Sequence, residues 1–137
     1  MNRKINTFNA NFVRAIHELL DEVESNEGPT ALVTFGLSDK FFSTGIDLNF
    51  MMKLHPADTY SFVLELIRLF GRMLALSVPT IAMINGHAYA GGCMFSFSHD
   101  FRSDFLLFTI KNMKILPKNR LSYQLQKLKF IYCIIFE

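Results

Sequence analysis

Two short stretches, each containing a glycine turn, restrict how this chain can fold more than any other feature. The first is Lys40-Phe-Phe-Ser-Thr-Gly-Ile-Asp-Leu48, and the second is Pro79-Thr-Ile-Ala-Met-Ile-Asn-Gly-His-Ala-Tyr-Ala-Gly-Gly-Cys93. In each, a β-branched or aromatic run that is typical of a strand is soon followed by glycine, which lets the backbone turn close to another group. A pair of such turns can direct two backbone N–H groups at one oxygen atom.

The size and composition of the chain predict one ordinary intracellular domain. It has 137 residues, of which 50% are apolar, and its late apolar run at residues 130–136 is far shorter than the roughly 20 residues of a membrane helix. We therefore expect no membrane span. Cys93 and Cys133 form no disulfide or metal pattern, and no secretory leader is recognisable, so we expect a reducing compartment and no bound metal.

The charge distribution divides the chain near Arg102. Residues 1–102 carry eight Lys or Arg against ten Asp or Glu, whereas residues 103–137 carry six against two. We interpret 1–102 as the folded domain and 103–137 as a divergent basic tail, which can be drawn as a helix or as strands. A basic patch can indicate nucleic-acid binding, but these basic residues are scattered, so we expect no nucleic-acid partner.

The hydrophobic pattern alternates between helices and strands. Apolar residues recur at helical spacing over two long segments, and two short β-rich runs are bounded by glycine. The predicted helices are 8–24, 47–53, 57–76 and 91–97, and the predicted strands are 31–35 and 80–84. The apolar stripe of the third helix, from Phe62 to Leu76, is expected to be core or subunit interface. Alternating strands and helices favour an α/β fold with a largely parallel sheet.

The two turns also suggest a chemistry. Each leaves a strand and enters a helix, where N–H groups lack partners within the helix, so two turns together can bind one anionic oxygen. For a thioester oxygen this is an oxyanion hole, in which each donor contributes roughly 3 kcal/mol. Gly45 allows the bend, and Gly91-Gly92 allows close packing. Taken singly, these glycines are more simply explained as helix caps and close-packing sites, and only their joint context favours the oxygen-binding interpretation.

The motifs at these turns resemble those of the crotonase, or enoyl-CoA hydratase/isomerase, superfamily. Phe42-Ser-Thr-Gly-Ile-Asp-Leu48 is similar to its first oxyanion motif, and Asn85-Gly-His-Ala-Tyr-Ala-Gly-Gly-Cys93 with His99-Asp100 is similar to its second. The resemblance covers approximately residues 3 to 102. It implies a crotonase-like spiral core of repeated β-β-α units, incomplete at both ends, that acts on a fatty acyl-CoA thioester without a further cofactor. It also implies a homotrimer or hexamer.

The resemblance assigns residues to this site. The two oxyanion N–H groups fall on Ile46 and Gly91. Further substrate-binding positions are expected at Lys4, Ser43, Gly45, Asp47, Leu48, Gly86 and Gly92.

Met94 is the main departure from the family pattern. Hydratases commonly carry a catalytic glutamate there, which makes a hydratase the less favoured reading. The pattern is more similar to peroxisomal Δ3,Δ2-enoyl-CoA isomerases of fatty acid β-oxidation, which move a double bond from position 3 to position 2. Their later glutamate has no counterpart, because Glu137 is the only Glu after Glu65.

Three explanations of the missing base remain open. The favoured one is a truncated or mis-spliced isomerase, expected to be inactive in this form. The others are a variant with an unusual base, such as His99, Asp100 or Asp104, and a non-catalytic module for acyl-CoA binding or subunit interaction. The resemblance implies a peroxisomal location, although the C-terminus is not a Ser-Lys-Leu signal.

The remaining polar residues near the motifs have ordinary interpretations. His87 and His99 lack ligand spacing and are expected to be turn or surface residues. Asp47 is expected in the first turn of a helix, where the helix dipole favours it. Cys93 is expected to be a small buried side chain.

Overall fold

A repeated order of strand, strand and helix organises the chain. The computed structural model describes residues 6–36, 38, 40–104 and 131–135. The elements are β1 (Thr7–Phe8), α1 (Ala10–Glu24), β2 (Thr30–Phe35), β3 (Phe41–Ser43), β4 (Gly45–Ile46), α2 (Leu48–Met51), α3 (Pro56–Leu74), β5 (Thr80–Ile84), β6 (His87–Ala88), α4 (Gly91–Phe97), β7 (Phe101–Asp104) and β8 (Ile131–Ile135). Every predicted helix and strand is present, with bounds within two residues of those expected.

Corresponding strands of the two repeats pair with each other in parallel. The first strands, β2 and β5, lie side by side in the larger sheet, where Leu32 is opposite Thr80. The second strands, β3 and β6, form a separate two-stranded sheet, in which Phe41 is opposite His87. Each repeat therefore places its second strand, and the turn that follows it, beside those of the other repeat. This is the α/β arrangement of β-β-α units that the motifs predicted.

The larger sheet has the order β7-β5-β2-β8. Its first three strands are parallel, which confirms the prediction for that part of the sheet, whereas β8 runs antiparallel to β2. β7 extends from Phe101 to Asp104 and so continues past the predicted boundary at residue 102. Most of the remaining predicted tail lies outside the described residues.

Helix α1 has the start signal and the apolar spacing that its burial requires. Asn9 is the N-cap, and its side-chain oxygen accepts a hydrogen bond of 3.0 Å from the Phe12 N–H. The helix ends where the Ser25 N–H donates to the Asp21 carbonyl. One face packs into the core through Val13, Ile16, Leu19, Leu20 and Val23.

Helix α3 contributes the predicted apolar stripe to the same core. Its buried residues are Phe62, Leu66, Leu69, Phe70 and Met73. From the sheet, Leu32 and Ala82 meet these helices and are fully buried. Of the two interpretations of this stripe, core and subunit interface, the structure assigns these five residues to the core.

Arg72 links the polar edges of α1 and α3. Its guanidinium donates to the His17 carbonyl at 3.0 Å, to the Asp21 carboxylate at 2.6 Å and to the Glu24 carboxylate. Because both carboxylates are solvent-exposed, water screens much of this attraction, and the link contributes more to orientation than to stability.

None of the helices within the described ranges is long and apolar enough to cross a membrane.

Replacement of Leu69 by alanine tests the core. Leu69 is fully buried, so Leu69→Ala leaves a cavity and is expected to lower the free energy of unfolding by about 3 kcal/mol, measured by urea denaturation. Leu74→Ala on the same helix is the matched control, because Leu74 is 69% exposed and should change stability by less than about 0.5 kcal/mol. Equal losses in the two variants would contradict the described packing of α3.

Candidate functional site

The two glycine turns lie directly against each other. A Cβ atom added to Gly45 would lie 2.9 Å from the Gly91 nitrogen, and one added to Gly91 would lie 3.7 Å from the Ile46 nitrogen. The two backbone nitrogens named by the sequence motifs are therefore neighbours in space, although the chain between them includes two helices and a strand of the larger sheet.

Hydrogen bonds to β1 fix the first turn. Gly45 has a φ of 89°, in the left-handed region where a side chain is strained, and its N–H donates to the Ser43 hydroxyl at 3.2 Å. The Asp47 N–H donates to the Phe8 carbonyl at 2.9 Å. Ile46 is paired with Phe8 between β4 and β1, and its nitrogen lies near the start of α4, 3.7 Å from the position of a Cβ on Gly91.

The second turn carries backbone strain at Ala90. This residue has a φ of 45°, which is uncommon for a residue with a side chain and is found mostly where the surrounding structure enforces it. The next N–H groups are used locally, since Gly92 donates to the Tyr89 carbonyl at 2.8 Å and Met94 to the Ala90 carbonyl at 3.1 Å. Within the part of the chain that the structure describes, no backbone carbonyl accepts from the Gly91 N–H, which is the first of α4.

Phe8 anchors both turns. It is fully buried, its carbonyl accepts from Asp47 beside the first turn, and its ring packs edge-on against Phe95 of α4 at 5.5 Å. A Cβ atom on Gly91 would also lie 3.7 Å from the Phe8 ring. One residue therefore contacts both turns, the first through its backbone carbonyl and the second through its ring.

Ser43 and Gly92 are in close backbone contact next to the two turns. A Cβ atom on Gly92 would lie 2.5 Å from the Ser43 carbonyl oxygen, so only glycine fits there. Ser43 is buried, and its hydroxyl donates to the Asn6 carbonyl at 3.0 Å. Both residues hold the two turns together. A contact of Ser43 or Gly92 with substrate stays a prediction.

The other predicted binding residues occupy separate positions. Asp47 is the N-cap of α2, where its carboxylate accepts from the Phe50 N–H at 3.1 Å, and Leu48 follows it with an exposed side chain. Gly86 precedes β6, and a Cβ atom there would lie 2.6 Å from the Phe41 nitrogen. Lys4 lies outside the described residues.

The groups considered as alternative bases are engaged elsewhere or not described. The Asp100 carboxylate accepts from the Thr80 N–H at 2.8 Å and from the Thr80 hydroxyl at 2.9 Å, and these bonds lower the pKa of Asp100. The side chain of Asp104 lies outside the described residues. Met94, one helical turn after Gly91, is 59% exposed and presents a thioether that cannot carry a proton.

His99 lies in the bend that follows α4, as the turn interpretation expected, but it is not a surface residue. It is 3% exposed, its Nδ1 lies 2.8 Å from the Phe95 carbonyl, and its Nε2 lies 2.9 Å from the Thr34 hydroxyl. A carbonyl only accepts, so Nδ1 carries the proton and Nε2 accepts from Thr34. Burial lowers the pKa of His99 to about 4. The prediction of a surface position failed because Thr34, the partner of His99, is distant in sequence.

The expectations for the other local residues had mixed outcomes. His87 is exposed, as predicted, and Asp47 caps a helix near the predicted position. Cys93 is only partly buried, so its assignment as a buried filler was wrong. Ala90 was missed because nothing in a sequence marks an alanine that adopts a positive φ.

Comparison with known proteins gives a family match over most of the chain. The profile of the family described as enoyl-CoA hydratase/isomerase matches residues 1–105. The enoyl-CoA isomerase/hydratase claC of Penicillium crustosum is 34% identical over 120 residues, covering 83% of this chain and 13% of that protein. The peroxisomal enoyl-CoA delta isomerase 1 of Arabidopsis thaliana is 31% identical over 94 residues, covering 68% of this chain and 39% of the relative.

A solved structure shares the fold. The crystal structure of enoyl-CoA hydratase from Bacillus anthracis matches with a TM-score of 0.70 and 24% identity, covering 74% of this chain and 40% of that one. The crotonase-like fold that the motifs predicted is therefore confirmed by the match in three-dimensional structure. The chain spans less than half the length of each of these proteins.

Replacement of Gly92 by alanine tests the contact between the turns. The added Cβ would clash with the Ser43 backbone, so Gly92→Ala is expected to lower the free energy of unfolding by about 2 kcal/mol in urea denaturation. Gly71→Ala in α3 is the control, because its Cβ meets no atom within 4 Å and should stabilise the helix by about 0.5–1 kcal/mol. A Gly92→Ala protein as stable as the parent would contradict the packing of α4 on Ser43.

Acidification tests the buried His99. Its pKa is about 4 in the folded protein and near 6.5 when unfolded, so between these values the unfolded chain binds more protons. The contribution of His99 to the free energy of unfolding should be constant above about pH 6.5. As the pH is lowered towards 4, the free energy of unfolding should fall by up to about 3 kcal/mol. At lower pH, protonation of Asp100, whose pKa is also lowered, acts in the same direction.

Variants identify the source of this pH dependence. Urea denaturation between pH 7 and pH 4 should show a much flatter profile for His99→Gln. The control His55→Gln removes an exposed histidine and should keep the steep profile of the parent protein. A His99→Gln profile as steep as that of the control would show that other groups cause the acid sensitivity.

Proposed function

Because the chain belongs to the enoyl-CoA hydratase/isomerase family, we propose that it binds the thioester group of a fatty acyl-CoA at the backbone N–H groups of Ile46 and Gly91. The observation that carries this proposal is the adjacency of the two nitrogens across the Gly45–Gly91 contact. Two rigid donors aimed at one carbonyl oxygen stabilise that oxygen more as negative charge develops on it.

The chemistry that such donors support is proton removal next to the thioester. When a proton leaves C2 of a 3-enoyl-CoA, the electron pair delocalises onto the thioester oxygen as an enolate. Hydrogen bonds from Ile46 and Gly91 lower the energy of that enolate, and return of a proton at C4 leaves the double bond between C2 and C3. This is the isomerase reaction, with no net gain or loss of atoms.

The residue at position 94 favours isomerase chemistry over hydration. Hydration requires groups that deliver and remove protons of a water molecule, and the Met94 thioether does neither. The relatives carry both isomerase and hydratase names, so their names do not separate the two reactions. The exposed Met94 beside the donors supports the isomerase type.

This chain is proposed to hold the thioester without converting it. The carboxylates of Asp47 and Asp100 are engaged as caps, His99 is buried with both nitrogens bonded, and no glutamate occurs between Glu65 and Glu137. Neither Ile46 nor Gly91 can move a proton through its backbone N–H. Among the described residues, the site therefore supplies electrostatic stabilisation without a group that carries a proton.

Two broader features belong to the same proposal. A peroxisomal location is supported by the name of the Arabidopsis relative, which is described as peroxisomal, and a role in β-oxidation stays a prediction. Assembly into homotrimers or hexamers stays a prediction.

Calorimetry with butyryl-CoA, a saturated thioester that cannot isomerise, tests the binding site. The parent protein should bind it, and Gly45→Ala should bind at least about tenfold more weakly, since the new Cβ would crowd the Gly91 nitrogen. Gly71→Ala should bind like the parent. Circular dichroism should show that both variants are folded. No binding by the parent would refute the proposal, and equal binding by folded Gly45→Ala would refute the assignment of the donors.

Incubation with 3-hexenoyl-CoA tests the absence of turnover. No rise in the ultraviolet absorbance of a conjugated thioester is expected from the purified protein, because the described site lacks a proton carrier. Turnover that follows the protein through purification and is lost in Gly45→Ala would mean that the chain is an active isomerase.

A further inference from the structure

The side chain of Asn85 joins the ends of two neighbouring strands. Asn85 follows β5 directly, and its side-chain oxygen accepts a hydrogen bond of 2.7 Å from the N–H of Gly36, which follows β2. Its side-chain nitrogen donates to the Gly36 carbonyl and, at 3.4 Å, to the Ser38 carbonyl. An N–H only donates and a carbonyl only accepts, so these partners fix the orientation of the amide. Asn85 therefore pairs with both backbone groups of Gly36, as an adjacent strand would.

Gly36 needs these hydrogen bonds because it is buried. A buried backbone group without a partner costs free energy. A Cβ atom on Gly36 would lie 2.5 Å from the Phe41 carbonyl oxygen and 3.0 Å from the Asn85 side-chain oxygen. The end of β2 is thus packed against both β3 and Asn85, at the point where the chain leaves the larger sheet.

The two residues after Asn85 contact the other end of the same connection. A Cβ atom on Gly86 would lie 2.6 Å from the Lys40 carbonyl carbon, and the His87 N–H donates to the Lys40 carbonyl at 2.9 Å. Residues 85–87 therefore contact the connection between β2 and β3 at Gly36 and again at Lys40.

The β3–β6 pair is too short and irregular to specify its own register firmly. β3 has three residues and β6 has two. Phe41 is opposite His87 and Ser43 is opposite Ala88, and the register shifts between these two pairs. Short strand pairs of this kind are marginal by themselves and prone to slip, so contacts outside the pair must hold them.

The register of β3 on β6 controls the donor pair. β3 ends at Ser43, three residues before Ile46, and β6 ends at Ala88, three residues before Gly91. One step along a strand is about 3.3 Å. That step is close to the 3.7 Å between the Ile46 nitrogen and the position of a Cβ on Gly91. A displacement smaller than one residue would already take one donor out of hydrogen-bond range of a shared oxygen.

Resting on the proposed thioester binding, we infer that Asn85 is a positioning residue for the two donors. Its amide sets the register of β3 on β6, and this register sets the separation of the Ile46 and Gly91 nitrogens. Asn85 acts through the backbone and contacts no ligand. An Asn-Gly pair is also a common turn sequence, but a turn alone does not require the hydrogen bonds to Gly36.

Ligand-free NMR spectra of isotope-labelled protein test the positioning itself. Asn85→Ala should shift the backbone amide signals of Ile46 and Gly91, because the register of β3 on β6 is no longer fixed by the amide. Ser38→Ala is the matched control, since it removes a hydroxyl that accepts from the Lys40 N–H at 3.3 Å and keeps the Asn85–Gly36 pairing. It should leave both signals in place.

Asn85→Asp is the second variant, in case Asn85→Ala does not fold. It keeps the size of the side chain and the acceptor for the Gly36 N–H, but it places a carboxylate oxygen against the Gly36 carbonyl. The same two amide signals should shift.

Acetoacetyl-CoA tests the consequence for the donors. This β-ketothioester forms an enolate, and the ultraviolet absorbance of the enolate shows how much of the bound ligand carries a negative oxygen. Hydrogen bonds to a charged oxygen are stronger than those to a neutral one, so misaligned donors weaken binding of the enolate most. Folded Asn85→Ala should bind the enolate at least about tenfold more weakly than the parent protein, with a smaller effect on butyryl-CoA.

Leu69→Ala separates positioning from stability. It lowers the free energy of unfolding through the core, and a loss of stability alone does not move the donors. The folded Leu69→Ala protein should therefore keep the parental enolate absorbance. A decrease as large as that of Asn85→Ala would reduce Asn85 to a stabilising residue.

The remaining outcomes distinguish this inference from the proposed function. If the parent protein binds neither thioester, the proposed function fails, while the NMR comparison still decides whether Asn85 positions the two turns. If the parent binds acetoacetyl-CoA as its enolate and the folded Asn85 variants match its affinity and absorbance, the thioester site stands and the positioning role is refuted. Unshifted Ile46 and Gly91 signals in both Asn85 variants would refute it as well.

Discussion

The contact between the two glycine turns is the constraint on which the rest of this structure depends. Gly45 meets the start of α4, and Gly92 rests on the Ser43 backbone at a distance that admits no side chain. Because these contacts are backbone to backbone, they fix the relative position of the Ile46 and Gly91 nitrogens more firmly than flexible side chains could. Phe8 reinforces the arrangement by bonding to one turn and packing on the helix of the other.

The structure around the turns is consistent with a site that must stay rigid. Ala90 has a positive φ, a strain of order 1–3 kcal/mol that the surrounding contacts must offset. At the other end of α4, His99 is bonded to Phe95 and, across the fold, to Thr34. The helix that begins at the donor site is therefore held at both ends, one by glycine packing and the other by a neutral buried histidine.

The same residues support the proposal that the site binds a negative oxygen without moving protons. Asp47 and Asp100 are close to the motifs in sequence, yet each carboxylate is fixed by hydrogen bonds to backbone N–H groups. At position 94 the side chain is a thioether. A site of this composition can stabilise a negative oxygen and leaves proton transfer to a group that the described residues do not contain.

The sequence by itself determined the local features. Apolar spacing located α1 and α3, β-branched runs located β2 and β5, and glycine marked the turns, because each signal is carried by residues that are neighbours in the chain. The motifs also identified the family. Only the tertiary structure decided that the two turns touch, that His99 is buried against Thr34, that β8 runs antiparallel to β2, and that Phe41, His87 and Tyr89 share one surface. Those features depend on contacts between residues far apart in the chain, which no local pattern encodes.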